Sequence, residues 1–264
     1  MIVTREKVTY CGSEYKEVDI FNAPDRKRFT GRGKRRSVSA PAQKNLNDKR
    51  ALRYLVQLIN ANFKDFRDSL MHLTYDDENL PESVEAAEGH FKNFIKRINY
   101  RLKKRGEKNA KYILITSDTS TKTGKLVRVH HHVIISCGLS RDELYTLWKL
   151  GRVNIDPLQG RKKNCADLAA YLAKNARQKK KWIASLGLCK PQEVSNDNKY
   201  TPRKLEKIAR QPFDREYWEK VYPGWEIIQS DDGFEAEFNE MMGWRIVLKL
   251  RKASRASDKG GSAA

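Results

Sequence analysis

Val127 to Ser136 reads V-R-V-H-H-H-V-I-I-S. Its β-branched residues make it a buried strand. Side chains alternate across a strand, so His130 and His132 share one face and His131 takes the other. Two imidazoles two residues apart on one face can share a metal ion. The chain has five histidines, and the other two are His72 and His90. The alternative is a polar strand end with no special role.

Working outward, Lys111 to Ser117 (K-Y-I-L-I-T-S) is a second strand, and the turn around Gly124 joins the two into an antiparallel hairpin. Upstream, Ser83 to Lys104 is an amphipathic helix. Phe91, Phe94, Ile95, Ile98 and Leu102 form its apolar stripe, and lysines and arginines fill the rest. Before it, Leu70 to Tyr75 is a short strand. Leu52, Leu55, Val56, Ile59 and Phe63 mark a helix over 49–66, capped by Asn47-Asp48. Downstream, Ser140 and Glu143 sit at capping-box spacing and open a helix to Trp148. Arg152 to Asp156 is a short strand, and Cys165 to Lys181 a helix. Strands and helices in this order predict an α+β fold, a central antiparallel sheet with helices packed mainly on one face.

The ends differ from the middle. Residues 1–25 alternate loosely, as a hairpin would. Residues 26–36 carry seven basic residues in eleven positions, Arg32, Lys34, Arg35 and Arg36 among them. Such a stretch, taken as 25–45, cannot bury a core and reads as a mobile arm on a DNA backbone. The domain reading is a 1–45 extension, a 46–190 core domain, 191–251 completing it, and a disordered 252–264 tail. Within 191–251, helices fall at 202–210 and 214–221, and strands at 226–229 and 244–250.

Charge narrows the partners. The net charge is +20, from 53 Lys and Arg against 33 Asp and Glu. That favours a polyanion, most often nucleic acid. No apolar run approaches the ~20 residues of a membrane span, and no signal core opens the chain. Cys11, Cys137, Cys165 and Cys189 are scattered, as reduced cytoplasmic thiols are. No phosphate-binding G-x-x-x-x-G-K-[ST] is present, since Gly124-Lys125 lacks the upstream glycine; no ATP-driven helicase is built in.

On the 165–181 helix, Tyr171 and Lys174 lie one turn apart. A tyrosine hydroxyl can be a covalent nucleophile. With an ordinary pKa near ~10 it needs help at neutral pH, which an ammonium such as Lys174 supplies. Arg177, Lys179, Lys180 and Lys181 follow on the same helix as DNA contacts. Tyr75, Tyr100, Trp148 and Trp182 are aromatics among basic residues, at most one of which stacks on bases.

His130-His-His132, followed by Tyr171-Leu-Ala-Lys174 and preceded by Leu73-Thr-Tyr75, resembles the HUH endonuclease superfamily. Its nearest likeness is the single-tyrosine rolling-circle replication initiators of phages and plasmids. The resemblance covers about residues 46–190. It has one departure: His131 stands where the pattern has an apolar residue. The resemblance implies a ferredoxin- or RRM-like HUH fold and a divalent ion, Mg or Mn, on His130 and His132. Asp118 is the choice for a third ligand, with Ser117, His72 and Asp76 behind it. It implies that Tyr171 attacks a phosphodiester of single-stranded or hairpin DNA at a replication origin. The products are a 5′-phosphotyrosine and a free 3′-OH. Host helicase and polymerase would then be partners, and the oligomeric state stays open. Two alternatives remain: a transposase or relaxase with the same chemistry, and a non-catalytic DNA-binding protein.

Overall fold

The computed structural model describes residues 2–24, 41–119, 126–159, 165–174, 182–229 and 233–253. They form two compact units, one of Ser39–Lys190 and one of Met1–Val38 with Pro191–Ala264. Together they are α+β, with two antiparallel sheets and six helices among the described residues.

In the Ser39–Lys190 unit, α1 (Pro41–Asn62) precedes β3 (Ser69–Leu73) and α2 (Val84–Lys104). The hairpin β4 (Lys111–Thr119) and β5 (Leu126–Ser136) follows, then α3 (Arg141–Trp148), β6 (Val153–Pro157), α4 (Ala166–Lys174) and β7 (Ile183–Ala184). The sheet order is β6-β3-β5-β4-β7. Local chemistry sets several boundaries. The Ser83 hydroxyl accepts from the Ala86 N–H to start α2. Ser140 and Glu143 form both bonds of a capping box at α3.

The helices cover both faces of this sheet, which corrects the expectation of one covered face. Met71, Leu73, Leu114, Val133 and Ile135 pack against Phe91, Phe94 and Ile98 of α2 and Leu144, Leu147 and Trp148 of α3. Ile113, Ile115 and Ile134 pack against Leu55, Leu58 and Ile59 of α1 and Ala169 of α4. The reason lies in the runs I-L-I and V-I-I. They are apolar on consecutive residues, so both faces of β4 and β5 must leave water. Residues 41–45, expected in the arm, are the first turn of α1. Pro41 suits that first position, because its ring fixes φ and its missing N–H has no helical partner to lose.

In the other unit, β1 (Ile2–Cys11) and β2 (Tyr15–Pro24) form the hairpin expected of residues 1–25. The rest of its sheet comes from β8 (Gln192–Tyr200), β9 (Trp225–Ile227), β10 (Phe234–Asn239) and β11 (Gly243–Lys252). Their order is β10-β11-β2-β1-β8, with β9 beside β11. Between them run α5 (Pro202–Arg210) and α6 (Arg215–Val221). Their Leu205, Trp218 and the following Tyr222 close over Val18, Ile20, Ile246 and Leu248. Residues 191–251 thus build a sheet with the N-terminal hairpin, in place of the expected completion of the 46–190 domain. Backbone pairing decides it: β8 lies on β1 and β11 on β2. Strand β11 also runs through Lys252, into the segment expected as a tail.

Among the described residues no helix is long and apolar enough to cross a membrane.

Candidate functional site

The strand register assembles the site. On β5, Ile134 packs toward α1 and α4, so His130 and His132 share that face by alternation. Across to β3, His132 pairs with His72; across to β6, His72 pairs with Asn154. On the β4 side, Ser117 pairs with His130. Three imidazoles therefore lie on the face covered by α1 and α4. The His130 and His132 rings meet edge to face at 4.9 Å between centroids, and His72 and His132 at 4.6 Å.

Two features fit these rings to a divalent ion. First, His130 Nδ1 lies 2.9 Å from the Arg128 carbonyl oxygen. A carbonyl only accepts, so Nδ1 carries the proton and Nε2 keeps its lone pair, the orientation that metal-binding histidines need. Second, ligand imidazoles must be neutral. Burial pushes the His132 pKa down to about 3, with His72, His130 and His131 adding to the shift. Burial also lowers that of His72, with Asp156 opposing and His130 adding. Among the described residues, no three His, Cys, Asp or Glu side chains converge as a ready-made ligand set. The residues present suit an ion whose remaining positions are filled by water or substrate.

His131 does turn to the other face. Its ring packs among Tyr75, Phe91 and Trp148. Its Nε2 lies 2.8 Å from Tyr75 Oη and its Nδ1 2.9 Å from Thr116 Oγ1. Tyr75 donates its hydroxyl proton to the Ala87 carbonyl at 3.3 Å. Nε2–H of His131 then donates to Tyr75, and Thr116 donates to Nδ1, which leaves every group of this chain satisfied. Burial, aided by His130 and His90, holds the His131 pKa down at about 3. A fully bonded neutral ring thus fills the place of an apolar residue, which accounts for the departure from the HUH pattern.

The other predicted residues fall as follows. Asp118 is half-buried, where the β4–β5 register shifts just past Ser117. Tyr171 and Lys174 lie in α4, whose Ala169 packs on Ile113, Ile115 and Ile134 of the histidine-bearing face. Their side chains, and all of Arg177, Lys179, Lys180, Lys181, Arg32, Lys34, Arg35 and Arg36, lie outside the described residues. Of the stacking candidates, Trp148 is fully buried and Tyr75 nearly so. Trp182 packs on the core beside α1. Tyr100 is 61% exposed, with the Lys104 ammonium over its ring.

Sequence reasoning underrates His72. Its signal is positional: it sits in a strand with Met71 and Leu73 facing the opposite way, so it shares the face of Leu70. Only the pairing of β3 with β5 shows that this is the face of His130 and His132.

A cleft of about 630 Å³ opens beside these rings, lined by His130 and Arg128 of β5, by Thr74 to Asp77 after β3, and by Gly151 and Arg152.

No curated protein and no solved structure matches the chain. Residues 68–180, which run from β3 through α4, match the family model for the replication-associated protein ORF2. The part of the chain that holds the histidine pair and the tyrosine helix is therefore similar to a replication protein of the Rep type.

Proposed function

We propose that the chain is a metal-dependent nicking and joining enzyme for single-stranded DNA, which starts rolling-circle replication through a covalent phosphotyrosine. The observation that carries this reading is the shared face: His72, His130 and His132 lie on the side of the sheet on which α4, the helix of Tyr171, packs. The fold reading that goes with it is the HUH type, a five-stranded antiparallel sheet with the histidines on a central strand.

His130 and His132 would hold a Mg or Mn ion. His72 is the third candidate whose ring touches His132, while Asp118 is the carboxylate nearest the hairpin end. When bound, the ion supplies Lewis-acid polarisation of the scissile phosphate. The Tyr171 oxygen forms a bond to phosphorus as the bond to the 3′ oxygen breaks. The phenolic proton leaves, and the 3′ oxygen takes one up as 3′-OH. One phosphodiester replaces another, so no external energy source is needed and the step reverses. Lys174, one turn on, would favour the phenolate or hold the phosphate charge. The histidines orient and the basic residues bind; the nucleotide 5′ of the nick keeps the 3′-OH as a primer end. Host helicase and polymerase would extend it, in the cytoplasm.

The family match favours this role over a relaxase or transposase with the same chemistry. The test is cleavage of a labelled single-stranded oligonucleotide carrying the origin sequence, with Mn present. His130→Ala and His132→Ala should each lower Mn-dependent cleavage by about a hundredfold or more and weaken Mn binding in calorimetry. Cleavage at the parent rate in both variants would leave the histidines without a catalytic part.

A further inference from the structure

The cleft beside His130 has the dimensions of a ligand site. Its volume of about 630 Å³ lies within the roughly 300–1,000 Å³ of small-molecule sites, room enough for one nucleotide. Its residues extend the rows that carry the histidines. Arg128 is two residues before His130 on β5, so the two share a face. Arg152 is two residues before Asn154, the strand partner of His72. Between them Thr74 donates its N–H to the Arg152 carbonyl at 2.9 Å.

The polar groups are placed as recognition groups. Arg128 Nη1 donates to Asp77 Oδ1 at 2.5 Å, and Nη2 to the Tyr75 carbonyl at 3.3 Å. The Asp77 side chain is 92% exposed and that of Arg128 51%. An ion pair so open to water adds almost nothing to folding. What it does provide is a donor and an acceptor side by side, the complement of a base edge. Arg152 is exposed and makes no ion pair among the described residues. Its guanidinium is open to a phosphate, which it can grip with two parallel bonds. The wall behind is rigid. A Cβ on Gly151 would sit 2.4 Å from the Thr74 carbonyl oxygen, so the 149–152 loop closes here only on glycine.

We propose that this cleft is a nucleotide subsite that reads one base next to the phosphate held at the histidines. The Asp77–Arg128 pair takes the base edge, and Arg152 takes the adjoining backbone phosphate. The subsite rests on the single-stranded-DNA reading above and adds a sequence filter to it.

The test is a binding selection, so it does not depend on cleavage. A randomised single-stranded DNA pool is selected on the full-length protein carrying Tyr171→Phe, then on the same protein with Asp77→Asn, Arg128→Gln or Arg152→Ala added. Variants are compared at equal thermal stability. The parent should fix one base at one position. Asp77→Asn and Arg128→Gln should flatten that position by about tenfold and leave neighbouring positions as they were. Arg152→Ala should weaken binding of all sequences evenly and lower the log–log salt slope by about one. A parent without base preference, variants that select the same base, or preference lost evenly at all positions would each overturn the subsite. Failure of the nuclease reading shows separately, as a wild-type protein that forms no covalent adduct with DNA.

Discussion

His131 sits in an apolar core as a neutral ring, and protons should therefore unfold the protein. Its pKa is about 3 in the fold and near ~6.5 in an unfolded chain. The unfolded state binds the extra proton between these values. The contribution is intact above ~6.5 and is lost as pH falls toward 3, at up to about 1.4 kcal/mol per unit. His131→Leu removes this titration. Urea unfolding at pH 7 and pH 5 should show the stability difference between them shrink by about 2 kcal/mol. An unchanged difference would mean the ring is charged or solvated. Gly151→Ala makes a second test at this scale: its Cβ would meet backbone of Thr74, Tyr75 and Asp76. The expected loss is about 1–3 kcal/mol in urea unfolding. Alternation alone places His130 and His132 on one face and His131 on the other. It cannot place His72 with them, because that depends on a strand pairing across some sixty residues of chain.

At the scale of elements, the β4–β5 hairpin is the piece both helix layers need. Ile134 is fully buried against α1 and α4. Ile134→Ala should cost about 2–5 kcal/mol in chemical unfolding. It should also weaken metal binding, since it unseats the strand that carries the histidines. A loss below about 1 kcal/mol would contradict a core on that face. Elements with strong periodicity are legible in the sequence: α2 and α5 and the hairpin strands stand within about two residues of their expected bounds. The cover on the second face is not, because consecutive apolar residues in a strand do not say what covers them. Strand β8, Q-E-V-S-N-D-N-K-Y, has no apolar alternation and reads as loop; it is a strand through its backbone pairing with β1. For β10, the alternation Phe234, Ala236, Phe238 is present but hidden among its glutamates. The 191–251 helices are legible, but the sheet they cover is not, since sequence order does not reveal which edge a strand joins.

Taken whole, the molecule joins a net charge of +20 to a histidine-bearing sheet under a tyrosine-bearing helix. The charge accounts for a polyanionic substrate, the histidines for a metal, and the helix for a nucleophile. Each alone has ordinary explanations, such as a solvated basic surface, a polar strand or a packing tyrosine. The match of residues 68–180 to a replication-associated family favours the joint reading. The most direct measurement incubates the full-length protein with a 5′- and 3′-labelled single-stranded oligonucleotide of the origin and Mn, followed by denaturing electrophoresis and mass spectrometry. The predicted result is a protein band shifted by the 3′ part of the DNA, linked at Tyr171, lost with a chelator and absent from Tyr171→Phe, which still binds the oligonucleotide. An adduct that persists in Tyr171→Phe, or a wild-type protein that binds the DNA with Mn and forms none, would contradict it.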